Sequence, residues 1–335
     1  MLNFKKSFNL DKKNDFSKKL KLIHLNDLQL IIIKGPDSKI FLQNQLTINI
    51  NELDNNIKFF NALHCNSQGK VLTNMYIYKD FNNNYQCIIK KNIIKKYLTD
   101  IKKYTLIYNI KIILNTKKNF FGLSGKNLEN IMSKTFKNIN FFSKKKSLFF
   151  IKEYIILKFV DYYNYYFIIL SKKNSNFFIK NFLLKNKINM SNFNYWIKFN
   201  MEIGYPIIDN INNYNSFLPQ QINMEKFNAI NYNKGCYLGQ EIISSFKFRN
   251  KKNKMLFLLE GEINFVPLYN DLLELKNNIK NKWEIIKGSR ILKFLKIKKN
   301  VIWIQVIFKN NILKNSLIRF NKDKKNIFFI VKKFE

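Results

Sequence analysis

The run Lys234-Gly235-Cys236-Tyr237-Leu238-Gly239-Gln240-Glu241 sets a cysteine between two glycines in a chain of 335 residues that has only nine glycines. Glycine reaches positive φ freely and lets another chain or a ligand approach the backbone. A lysine beside a cysteine favours the thiolate, which is the nucleophile and the metal ligand. Cys236 with Lys234 is therefore the first candidate pair, against the plainer reading of a free cysteine as a small buried hydrophobe. A second cluster is His64-Cys65-Asn66-Ser67-Gln68-Gly69-Lys70, which holds one of only two histidines. A Cys/His nucleophile pair between Cys236 and His64 is conceivable. The better reading is a hairpin whose turn needs Gly69 and whose histidine satisfies a core hydrogen bond. A third is Trp196 followed by Glu202. An indole stacks on a flat ring, and a carboxylate accepts paired N–H bonds from an aminopyrimidinone edge. An amphipathic helix with a core tryptophan explains the same spacing.

These residues need a folded scaffold, and the composition allows one. Hydrophobic residues are 46% of the chain, which excludes global disorder, and its length has room for two or three domains. The formal charge of +37 suggests a nucleic-acid binder. Arginine is confined to Arg249, Arg290 and Arg319, however, whereas phosphate and base recognition favours the arginine fork. The lysine and asparagine excess runs along the whole chain, as compositional drift would leave it, so specific nucleic-acid binding is not expected. The three cysteines Cys65, Cys87 and Cys236 form no C-x-x-C pair, which argues against a disulfide framework and a self-sufficient metal site. The start, Met1 to Leu20, lacks the apolar core of a signal peptide, and the apolar runs are strand-length. A cytoplasmic protein is expected.

Apolar alternation and turn residues predict strands over 22–34, 59–65, 71–78, 85–90, 106–114 and 119–123. Helices are expected over 38–46 and 92–104, with another capped by Ser124. Strands at 148–151, 154–160 and 165–170 then precede helices at 174–184 and 192–203. After the basic segment 249–254 the pattern turns to strands alone, at 255–260, 289–296, 301–308 and 326–331. The fold class is α+β, with an α+β region over 1–248 and a C-terminal all-β barrel domain over 249–335.

Taken together, the motifs resemble those of the YgfZ family, folate-binding proteins linked to tRNA modification. Lys234 through Glu241 is similar to its K-G-C-Y-x-G-Q-E signature. Gly35-Pro36-Asp37-Ser38, Gln43-Asn44-Gln45-Leu46-Thr47, His64-Cys65 through Gly69-Lys70, Glu202-Ile203-Gly204-Tyr205-Pro206 and Pro219-Gln220 follow its other motifs in order, and Lys247-Phe248-Arg249 resembles the segment after the signature. The resemblance implies the fold of the glycine-cleavage aminomethyltransferase, with folate-binding domains around a central channel and a C-terminal β-barrel. It implies folate, as tetrahydrofolate or a one-carbon derivative, held by Trp196 and Glu202, with Tyr237, beside the cysteine, as a further cofactor contact. A first folate-contacting tryptophan falls on Leu28, which removes an aromatic contact of about 0.5–1.5 kcal/mol. The transferase's catalytic aspartate pair falls on Thr73 and Asn74, neither a carboxylate, so strong turnover is not expected. The implied role is an accessory protein for iron–sulfur enzymes that thiolate or methylthiolate tRNA, with Cys236 as its thiol. A folate-dependent aminomethyltransferase-like enzyme and a basic RNA-binding protein are the alternatives.

Overall fold

A computed structural model of the chain describes residues 19–137, 139–159, 165–248, 254–277, 282–309, 311–313 and 315–334. The chain packs as two compact units. One is formed by Asn119–Asn192 with the segment ending at Leu25, the other by Asn26–Lys118 with Phe193–Glu335.

The first unit is a six-stranded sheet in the order Met190–Ser191, Lys21–His24, Lys118–Ser124, Tyr165–Ser171, Tyr154–Phe159, Leu148–Ile151. The helices Leu128–Thr135 and Lys172–Asn186 bury Leu128, Met132, Phe178 and Phe182 with Phe121, Phe149 and Tyr166 of the sheet.

The second unit carries every motif singled out above. Its five-stranded antiparallel sheet runs Phe60–Cys65, Val71–Lys79, Tyr85–Lys90, Leu28–Lys34, Lys111–Asn115. Helix Lys91–Thr105 lies on it through Ile93, Tyr97 and Ile101, four residues apart each time and all buried, as an amphipathic stripe requires. The helix Ser38–Gln45 adds Phe41 and Leu42 to the same core. A seven-stranded antiparallel sheet follows in the order Lys282–Ile285, Leu273–Asn277, Ile318–Phe320, Phe328–Phe334, Lys254–Glu262, Val301–Lys309, Arg290–Lys296. It gives the C-terminal region the β-rich domain expected of it, around a core of Phe257, Val306, Phe308, Phe320 and Phe328. Among the described residues no ladder joins the first strand of that order to the last. The boundary expected at 249 falls in 249–253, outside the described residues.

The strand expected over 22–34 is two strands, Lys21–His24 and Leu28–Lys34, in different sheets, and the two units part at Leu25 and Asn26. Local apolar alternation cannot record which sheet a strand will join. Helix Leu128–Thr135 starts beyond Ser124, which ends a strand, and its N-cap position is Asn127 at φ 54°. Helix Gln240–Phe248, directly after the cysteine motif, went unread because five of its nine residues are polar. No described helix is long and apolar enough to cross a membrane.

Candidate functional site

Helix Ser38–Gln45 ends at Leu46, and a helix end leaves four backbone carbonyls without intrahelical donors. Here a side chain nearly 200 residues away supplies donors. Lys234 Nζ donates to Gln43 O at 2.5 Å, Leu46 O at 2.7 Å and Ile48 O at 2.9 Å. An ammonium has three donors and no acceptor, so these bonds saturate it. Lys234 is 7% exposed. Burial pulls its pKa down to about 8, while three oxygens that can only accept favour the protonated form. The same ammonium lies 5.0 Å from the centre of the Tyr237 ring. The lysine read as an activator of the thiol is thus occupied in fastening the loop that carries it.

More bonds fix the same loop. Leu238 N donates to Asn44 O at 2.9 Å, and Asn231 N donates to Thr47 O at 2.8 Å. Thr47 Oγ1 donates to Ala229 O at 2.5 Å and accepts from Leu63 N at 3.0 Å. The hairpin turn meets the loop backbone to backbone. Gly69 (φ 69°) and Gly239 (φ 82°) face one another, and a Cβ on Gly239 would lie 2.4 Å from Asn66 O and 2.9 Å from Gly69 Cα. Both glycines are required by conformation and by contact. Gln240 Oε1 then accepts from Tyr237 N at 3.2 Å where helix Gln240–Phe248 begins. Three motifs far apart in sequence therefore form one clasp.

The three cysteines differ. Cys236 is exposed, while Cys65 and Cys87 are buried. Burial pushes the Cys87 thiol up to about 12 and raises that of Cys65 further. Tyr237 is buried beside Cys65, its hydroxyl pKa raised first by burial and then by that thiol. The possible Cys/His pair is excluded. His64 is 1% exposed, with Nδ1 2.9 Å from Tyr97 Oη and Nε2 3.0 Å from Gln45 Oε1. Since an amide oxygen only accepts, Nε2 carries the proton and Nδ1 accepts from the tyrosine. Burial lowers the imidazole pKa to about 3, so the ring stays neutral and structural.

Of the residues named for folate, Tyr237 lies in the clasp, while Trp196, Glu202 and Leu28 lie apart from it in the chain, on helix Phe193–Ile203 and strand Leu28–Lys34. Trp196 is 3% exposed and its ring centre is 5.3 Å from that of Phe199. Glu202 is half-buried, and six residues at 100° each set it about 120° around the helix from Trp196. The two do not share a helix face, so a clamp made by one face does not form. Leu28 is 5% exposed and begins its strand opposite Lys90. Thr73 and Asn74 are buried in strand Val71–Lys79, with Thr73 Oγ1 donating to Asn74 O at 3.1 Å. Asn74 contacts the Tyr205-Pro206 segment, its Nδ2 donating to Pro206 O at 3.5 Å. Gln305, which the sequence reading missed, joins that segment to the C-terminal sheet. It is fully buried, accepts from Ile207 N at 3.0 Å and donates to Tyr205 O at 2.9 Å. A lone glutamine amid Val-Ile-Trp-Ile and Val-Ile-Phe was its only signal.

Comparison with known proteins identifies a family and a fold. A family model described as the YgfZ beta-barrel domain matches residues 250–323. The tRNA-modifying protein YgfZ of Blochmanniella pennsylvanica is 32% identical over 305 residues, covering 90% of each chain. That of Buchnera aphidicola subsp. Schizaphis graminum is 32% identical over 311 residues, covering 93% of this chain and 94% of its own. The Escherichia coli protein of the same name is 26% identical over 304 residues, covering 91% and 90%. Among solved structures, the glycine cleavage system aminomethyltransferase T of Bartonella henselae superposes with a TM-score of 0.67 over 94% of this chain and 85% of its own. At 10% identity that likeness is one of fold.

Proposed function

The chain belongs to the YgfZ family of tRNA-modifying proteins, and from that membership we propose that it is a folate-binding accessory protein that acts in tRNA modification. Its role is to support the iron–sulfur enzymes that thiolate or methylthiolate tRNA, with Cys236 as the functional thiol. One observation carries the assignment to this residue. Cys236 is the exposed cysteine of the three, on a loop that a buried lysine and two facing glycines hold in place. A cysteine held this way can join a shared cluster, a mixed disulfide or a client protein without the loop having to order itself first. Lys234 positions the loop and Tyr237 packs beneath it.

The folate part rests on the fold and on a partial fit of residues. Glu202 carries a half-buried carboxylate that suits an aminopyrimidinone edge, and it would hold the pterin. Trp196 would form a wall of the site from within the core rather than stack on the ring. Leu28 offers an aliphatic contact where an indole would stack, which weakens binding by about 0.5–1.5 kcal/mol, or roughly 2- to 13-fold. Folate bound there supplies a one-carbon carrier. With Thr73 and Asn74 in place of carboxylates, those two positions offer no general base.

Tetrahydrofolate titration of the protein and of the Trp196→Ala and Glu202→Gln variants tests the ligand. Binding that is lost with Glu202→Gln supports the reading, and absence of binding by the unaltered protein removes folate from it. Cys236→Ser in cells tests the thiol: tRNA thiolation should fall while the protein stays folded, and unchanged thiolation refutes the role.

A further inference from the structure

A second feature lies at one end of the C-terminal sheet. Lys254 and Lys309 are direct partners in the ladder between Lys254–Glu262 and Val301–Lys309. Side chains of antiparallel partners project to the same face, and like charges set opposite one another are destabilising. The next strand adds Arg290, paired with Ile307, which lies two residues from Lys309 on that face. Lys254 reaches across this end of the sheet, its Nζ donating to Gly288 O at 3.2 Å. Leu256 and Ile307, on the same face one step inward, are fully buried. The three cations therefore rim the face where it emerges from packing. Lys70, from the hairpin turn of the thiol clasp, adds a fourth. Burial and the charge of Lys254 both press its ammonium below the ordinary lysine range.

None of these four has a carboxylate partner among the described residues, whereas Lys39, Lys90, Lys96, Lys247 and Lys293 each have one. The first carboxylate along that face of Lys254–Glu262 is Glu260, about 20 Å away. Neighbouring strands lie about 5 Å apart and alternate residues about 7 Å apart. Rigid strands thus set these charges at intervals commensurate with successive phosphates of a nucleic-acid strand. The four rim residues themselves carry charge but no aromatic ring for reading bases.

We infer that this rim, formed by Lys254, Lys309, Arg290 and Lys70, binds the phosphate backbone of a structured RNA without reading its sequence. The choice of RNA rests on the proposed role in tRNA modification. The variants that test the rim alter no residue of the thiol clasp, so they leave the thiol reading untouched.

The experiment compares binding of bulk tRNA across a salt series by two folded triple variants of equal charge. One is Lys254→Gln/Lys309→Gln/Arg290→Gln. The other, Lys95→Gln/Lys102→Gln/Lys103→Gln, removes exposed lysines of helix Lys91–Thr105. Each lost phosphate contact lowers the slope of log affinity against log salt by about 0.7–0.9. The rim variant should therefore show a slope shallower by about 2–3 and an affinity lower by at least about tenfold at 0.1 M salt. The helix variant should lose less than about threefold. Equal losses in both variants, or none in the rim variant, overturn the inference. Should the rim triple fail to fold, Arg290→Gln alone, at an exposed residue, should flatten the slope by about 1, and no change overturns it. Anionic lipid vesicles, run alongside, overturn the assignment to RNA if they bind as tightly as tRNA and lose as much in the rim variant.

Discussion

Replacing Lys234 by methionine keeps most of the buried stem and removes the ammonium. Three charge-assisted bonds, to Gln43 O, Leu46 O and Ile48 O, are lost together. Hydrogen bonds to a charged group contribute about 1.5–3 kcal/mol each, so the gross loss is about 4.5–9 kcal/mol. Burying an ammonium that is 7% exposed costs several kcal/mol, and the variant no longer bears that cost. The net weakening of the clasp is about 2–4 kcal/mol, a factor of roughly 30–1,000 in its opening equilibrium. Amide hydrogen exchange reads this directly at Leu238 N, which donates to Asn44 O, and at Asn231 N, which donates to Thr47 O. Both should exchange faster in Lys234→Met by about that factor, while amides of the strand Phe328–Phe334 change little. If Leu238 and Asn231 keep their protection within about twofold, the lysine does not fasten the loop and the reasoning fails.

Three further outcomes are expected. Gly239→Ala should lower stability by about 2 kcal/mol or more, because its Cβ would meet Asn66 O at 2.4 Å at a φ of 82°, whereas Gly235→Ala, with nothing within 4 Å, should be near neutral; chemical denaturation of both variants checks the contrast. His64 has a folded pKa of about 3 against 6.5 unfolded, so the unfolded chain takes up the proton first and stability falls as pH drops from about 6.5. The slope from this residue is about 1.4 kcal/mol per pH unit, and denaturation between pH 6 and 5 should show it flattened in His64→Gln. A thiol reagent should titrate one cysteine rapidly in the native protein, that signal should vanish in Cys236→Ser, and Cys65 and Cys87 should react only after unfolding.

The legible elements were those whose own residues carry the signal. Strand Tyr85–Lys90 has the expected bounds, and helix Lys91–Thr105 differs from expectation by one residue at each end, because apolar alternation and the 3.6-residue stripe are local. The cysteine loop was legible as a candidate because two glycines within five residues stand out in a glycine-poor chain. Its mechanics were not. Lys234 looked like the partner of its sequence neighbour Cys236, yet its donors go to carbonyls 186 to 191 residues away. Trp196 and Glu202 looked like a pair, yet helix geometry turns them apart.

From the chain alone came the α+β class, the β-rich C-terminal region, the candidate cysteine loop and the family. Each is encoded in short-range periodicity or in ordered motifs. Folding decided which cysteine meets solvent, what the motif lysine holds, that the histidine is a neutral core residue, and that three lysines and an arginine gather on one rim. Those properties depend on burial, and on partners brought together by strand register and helix packing. A linear string records the residue types but not the desolvation and contacts that fix their charge and reach.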